Sequence, residues 1–213
     1  QITPPHKRPV SALGFYERNR THLAVSPASS FTLGQSMLGQ AMLGGGELIA
    51  NGPLPGLLLQ TVVVRGERTA EGTLIQAVAL PWFEIIALLE KDPTVAFQLP
   101  PDRWEEMVAG AYQRAGFEEV VLTPRSGDLG RDVIATKRGF GTLRVINQVK
   151  AYKATHLVTA NEVRALIGVL QCDGASKGYL STTSDFAPGL HKDPLVTPHM
   201  PARLELMVSA QPG

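Results

Sequence analysis

Two β-type runs, Asp132-Val-Ile-Ala-Thr-Lys-Arg and Thr142-Leu-Arg-Val-Ile-Asn-Gln-Val-Lys, flank the short segment Gly139-Phe140-Gly141. Residues of this kind on either side of a glycine-bearing turn form an antiparallel hairpin. A turn centred on Phe140 sets Asp132 opposite Gln148. Side chains alternate along a strand, so Gln148 and Lys150 share one face and Val149 points to the other. The hairpin therefore brings an acid, an amide and an ammonium together at one end of a sheet.

The segments around the hairpin restrict the fold further. Before it, Asp102 with Glu105 reads as a capping box. Trp104, Val108, Ala111, Tyr112 and Ala115 form the apolar stripe of a helix that Gly116 stops. Residues 119–123 read as a strand and 126–130 as a loop. After the hairpin, Thr159 and Glu162 repeat the capping pattern, and Val163, Leu166, Ile167 and Leu170 give a second helix its buried face. Strands follow at 178–183 and about 202–208. A helix between two strands of one sheet makes those strands parallel by a right-handed crossover. The expected class is α/β, a mixed sheet with an αβββαβ core.

Upstream, residues 1–33 have no sustained period and read as a flexible arm. Residues 34–98 read as a small α+β module of unknown role, with strands at 57–65 and 73–80 and a helix at 82–90 that Asp92-Pro93 ends. Pro100-Pro101 marks the boundary to a domain over 99–213. Gly44-Gly45-Gly46 lacks a following Gly-Lys-Ser/Thr, which argues against a Walker-type phosphate loop. Trp82-Phe83 reads as core rather than as a base platform.

The 213 residues are 44% hydrophobic, enough for a proper core, and no run approaches the roughly 20 apolar residues of a membrane helix. With no secretory signature and a lone Cys172, the expected compartment is the cytoplasm. Net charge is +1, yet residues 125–153 hold seven basic residues against two acids. A local basic field of this kind suits a polyanion.

Hydrolysis of a phosphodiester needs a metal to activate water, hard oxygen ligands, and a cation near the scissile phosphate. Asp132 offers a carboxylate, Gln148 a neutral carbonyl oxygen, Val149 a backbone carbonyl, and Lys150 the cation. Glu105 lies on the rim of the first helix's stripe. It reads either as a further ligand or as the cap carboxylate, whereas Glu106 reads as solvated on the opposite side. Asp128 reads either as a second acid or as a turn residue. Thr182 and Thr183 read either as phosphate contacts or as hydroxyls that close the strand end.

With Trp104-Glu105, Gly116-Phe117, SGDLGRDVIA around Asp132, NQVKAYK around Lys150, and the later EVRALIGVL and GYLSTTSDF, residues 99–207 resemble the Mrr-like branch of the PD-(D/E)xK nuclease superfamily. The resemblance implies a restriction-endonuclease-like fold and a magnesium-dependent DNA endonuclease of type IV or type II-like kind, with Mn²⁺ as a substitute. Its role would be restriction of foreign or modified DNA. Asp132 carries over as the metal-binding acid, Gln148 as the position held by Asp or Glu in most of the superfamily, Lys150 as the motif lysine, and Glu105 as the first-helix acid. Double-stranded DNA is the implied partner, with Arg125, Ser126, Arg131, Lys153, Thr182 and Thr183 as candidate contacts and a homodimer as a possible assembly. The neutral Gln148 leaves an alternative, a catalytically weakened DNA-binding or modification-sensing protein on the same fold.

Overall fold

The computed structural model describes residues 55–124 and 130–209, so the expected arm, the glycine-rich segment, Arg125, Ser126 and Asp128 lie outside the described residues. Seven strands form one mixed sheet in chain order: β1 Val63–Arg68, β2 Thr73–Val78, β3 Glu119–Leu122, β4 Val133–Arg138, β5 Thr142–Lys150, β6 Lys177–Thr182 and β7 Leu204–Val208. The first five pair antiparallel, and β6 runs parallel to both β5 and β7. The helices are α1 Pro55–Leu59, α2 Leu80–Lys91, α3 Pro101–Arg114 and α4 Ala160–Cys172.

Helix α4 forms as its residues predict. Thr159 and Glu162 make the reciprocal capping box, and Val163, Leu166, Ile167 and Leu170 are all buried. It carries the chain from β5 across one face of the sheet to β6, and the residues beneath it include Ile146, Leu180, Leu204 and Leu206. On the other face α3 covers Val120, Val133, Ala135 and Val145. Gly110 lets α2 approach α3 closely: a Cβ there would stand 2.4 Å from Trp82 Nε1, which donates to the Met107 carbonyl at 3.0 Å. Trp82 is core, as its sequence position predicted, whereas Phe83, expected in the core with it, is 41% exposed.

Four further expectations need correction. Helix α3 is capped two residues early, at Pro100 rather than Asp102, so Asp102 and Glu105 form no capping box; proline suits the first helical position because its missing N–H needs no partner there. The apolar run at residues 57–59 belongs to α1 and not to a strand, so β1 starts only at Val63.

The third correction concerns the boundary expected at Pro100-Pro101, which is not a boundary in the sheet. Strand β2 pairs with β3 through Thr73 with Leu122 and Leu74 with Val121, and one core holds Val62, Ile75 and Trp82 together with Trp104, Val133 and Tyr179. The hairpin β1–β2 is the outer edge of the same sheet. The fourth follows from it. The widened sheet overhangs the side of α3 that would otherwise face water, so Glu106 is 1% exposed rather than solvated.

Candidate active site

The β4–β5 register, Val133 with Asn147 through Arg138 with Thr142, extends to set Asp132 opposite Gln148, centred on Phe140 as the sequence predicts. Asp132 N–H donates to the Asn147 carbonyl at 3.1 Å, and the Asp132 carbonyl accepts from Thr123 N–H at 3.1 Å. Its carboxylate turns toward β5, where Oδ2 accepts the Val149 N–H at 2.5 Å. Because Ile134 pairs with Ile146, whose side chain lies under α4, alternation puts Asp132, Gln148 and Lys150 on the α4 face.

Gln148 is buried, and among the described residues its Oε1 has no hydrogen-bond partner. An unsatisfied buried carbonyl costs about 1–3 kcal/mol, and native interiors rarely leave one without a function. The amide is held from behind by Gly130, whose φ is +79°, and a Cβ built there would lie 2.7 Å from Gln148 Nε2. Both the left-handed backbone and the close approach call for glycine. The sequence pattern gave no sign of this second role for Gly130, since its partner is eighteen residues away in the chain.

Lys150 ends β5. Its Nζ stands 3.9 Å from Glu162 Oε1 and lies over the Tyr152 ring, 6.0 Å from the centroid. Glu162 also accepts the Tyr152 hydroxyl at 2.6 Å and the Thr159 N–H at 2.8 Å. Burial pushes the Glu162 carboxyl up. The Thr159 and Tyr152 hydrogen bonds and the Lys150 charge outweigh it and hold the group below its ordinary range. Tyr152 is pushed up to about 12 by burial, with its bond to the Glu162 carboxylate adding to the shift. The helix cap of α4 is thereby joined to the lysine, a link between residues that the sequence reading treated separately.

Several expected DNA contacts have other partners. Thr182 is 1% exposed and its hydroxyl donates to the Lys150 carbonyl at 2.9 Å; the Thr183 hydroxyl donates to the Tyr152 carbonyl at 2.6 Å. Both are buried and brace the strand end from inside. Arg131 pairs at 2.8 Å with Asp173, which Arg144 also holds at 2.8 Å while reaching Glu71 at 2.6 Å. Much of the local basic excess is therefore neutralised by acids brought in from elsewhere in the chain. Lys153 remains exposed, as does His156, which stacks on Tyr152 with ring centroids 4.1 Å apart.

Glu105 stands on the α3 side of the sheet and lines a cleft of about 570 Å³ that also includes Thr123. It is at the same edge as Asp132 and approaches from the opposite face. Among the described residues no group of three or more His, Cys, Asp or Glu side chains is placed to hold a metal ion. The arrangement instead offers hard oxygen donors of mixed type, a carboxylate at Asp132 and the partnerless carbonyl at Gln148, which fit a hard divalent cation.

A mixed sheet with a helix on each face, and an acid, amide and lysine at the end of its central hairpin, defines a restriction-endonuclease-like protein. Residues 97–192 match the restriction endonuclease family of the Mrr catalytic type, and across that segment the chain carries an Mrr-like restriction-endonuclease domain. No curated protein matches the chain. Among solved structures it is similar to the DNA modification-dependent restriction endonuclease AspBHI, at 21% identity and a TM-score of 0.41 over 62% of this chain and 34% of that one. It is also similar to the MspJI restriction endonuclease in complex with a 27-mer oligonucleotide, at 16% identity and a TM-score of 0.37 over 60% of this chain and 28% of that one. The chain thus spans about a third of the length of these structures. No described helix is long and apolar enough to cross a membrane.

Proposed function

We propose that this chain is a metal-dependent DNA endonuclease that hydrolyses phosphodiester bonds in the restriction of foreign or modified DNA. The observation that carries the reading is the buried Gln148 Oε1 without a partner, held opposite Asp132 and two residues before Lys150. A protein with no use for that oxygen would gain stability from an apolar side chain there.

Asp132, Gln148 and the Val149 carbonyl would hold Mg²⁺, with Mn²⁺ as a substitute and Glu105 as a further ligand from α3. When bound, the cation would polarise the phosphoryl oxygen and lower the pKa of a coordinated water. Lys150, cationic beside Glu162, orients the attacking water and donates to a non-bridging oxygen as charge develops there. The water gives up a proton to bulk solvent as its oxygen bonds to phosphorus, the bond to the leaving oxygen breaks, and a solvent proton neutralises the leaving group. Tyr152 and Glu162 restrict the lysine to this position. The exposed Lys153, three residues further along the chain, would meet the DNA backbone.

The test is nicking of methylated and unmethylated plasmid with Mg²⁺ and with chelator, together with Asp132→Ala and Lys150→Ala. Each substitution should lower the rate at least about a hundredfold while far-UV circular dichroism is unchanged. Cleavage that survives both, or that persists in chelator, refutes the assignment. A second reading, a DNA-binding or modification-sensing protein without cleavage, is favoured by the neutral residue at position 148 and the lack of a three-acid cluster among the described residues. Binding without nicking would establish it.

A further inference from the structure

The cleft that Glu105 lines is walled on its other side by the hairpin β1–β2, which lies outside the segment of the chain that matches the nuclease family. Residues three apart on a regular strand face opposite ways. Arg65 and Arg68 do not, because β1 is bulged between them: Arg65 pairs with Ile75 and Arg68 with Thr73, so three steps along β1 match two along β2. A bulge of this kind re-aims side chains. It turns both guanidinium groups toward α3, and both line the cleft.

The two arginines are held differently. Arg65 is anchored, with its Nη2 2.8 Å from the buried Glu106 carboxylate, and remains about half exposed. Arg68 is exposed and has no carboxylate partner among the described residues. The opposite wall carries Glu105 and Asp102, the latter paired with Arg103 at 3.3 Å, so the cations the cleft offers an anion stand on the hairpin side. The cleft is also lined by Thr123, whose N–H bonds the Asp132 carbonyl at 3.1 Å, so it lies next to the chain that carries Asp132. Its volume of about 570 Å³ falls within the roughly 300–1,000 Å³ of small-molecule sites.

We infer that this cleft seats the DNA strand next to the scissile bond, with Arg68, steadied by Arg65, gripping a backbone phosphate. The inference rests on the DNA-processing role proposed above and adds the β1–β2 hairpin to the DNA-binding surface. Guanidinium groups pair with phosphate through two parallel hydrogen bonds, so removal of one such contact lowers affinity about tenfold and weakens its dependence on salt.

The experiment measures binding of the full chain to a labelled DNA duplex by fluorescence anisotropy in chelator, where no cleavage occurs, across about 50 to 200 mM salt. Arg68→Ala should bind about tenfold more weakly, with a slope of log affinity against log salt reduced by about 0.9, and Arg68→Lys should keep the wild-type slope. Arg68→Ala with wild-type affinity and slope overturns the cleft assignment, whatever plasmid nicking gives. A wild-type chain that fails to cut but loses affinity on Arg68→Ala refutes the nuclease reading and supports the cleft. Absence of DNA binding by the wild type overturns both.

Discussion

Glu106 ties the edge hairpin to helix α3, and its removal should be the most damaging single polar substitution outside the candidate active site. Its carboxylate accepts from Val62 N–H at 2.9 Å, the Thr61 hydroxyl at 3.0 Å, Arg65 at 2.8 Å and Arg103 at 2.5 Å. The four donors differ in what they lose. Arg65 is 55% exposed and returns to water, so its pair contributes at most about 1 kcal/mol. Val62 is fully buried and its N–H loses its acceptor when the carboxylate goes, while Arg103, 11% exposed, keeps only its 3.3 Å pair with Asp102. Loss of one partner of a buried pair costs about 3–5 kcal/mol. Because Glu106 borders the cleft, water can enter beside Arg103, which favours the lower end, about 3 kcal/mol for Glu106→Ala. At about 2–4 °C per kcal/mol for a chain of this size, Tm should fall by about 6–12 °C. Urea unfolding of wild type, Glu106→Ala and Arg65→Ala measures this directly, with Arg65→Ala within about 1 kcal/mol of wild type. If Glu106→Ala lies within that same margin, the account of the buried carboxylate as the hairpin's anchor is refuted.

Two further perturbations address the active site. Gly130→Ala should cost about 1–3 kcal/mol of stability through its left-handed backbone, and by displacing the Gln148 amide it should lower metal-dependent nicking at least about tenfold while DNA affinity in chelator is retained. Unchanged nicking in the folded variant would remove Gln148 from the site. For Glu162→Gln the test is pH. The folded Glu162 carboxyl titrates below its ordinary value of 4.5, so its stabilisation is fully present above that pH and is lost as pH falls through the lowered value. The stability gap between wild type and Glu162→Gln, followed by thermal unfolding, should therefore be constant near neutrality and close toward acid. A gap that widens in acid contradicts the proposed pairing.

The hairpin, its register and the α4 cap were legible because each depends on residues close in sequence. A turn centred on Phe140 fixes which residues oppose one another, and alternation then fixes the shared face of Gln148 and Lys150. The parallel crossover followed from the same local signals joined by a chirality rule. The site's supports were not legible, since Gly130 against Gln148 and Glu162 beside Lys150 are contacts across elements.

The extent of the sheet was decided only in three dimensions. Nothing in the residues of 63–78 states which strand they will meet, because an edge strand can pair with any free edge that matches it in length. Pairing of β2 with β3 covered one side of α3, took Glu106 from predicted solvent into the interior, and formed the cleft toward which a bulge turns two arginines. Likewise, Arg131 and Arg144 count as free charge in the sequence and as partners of Asp173 in the fold. The sequence by itself determined which residues meet at the end of the hairpin. Tertiary pairing decided which charges remain available to meet a nucleic acid, since a charge is neutralised by its neighbours in space and not by those along the chain.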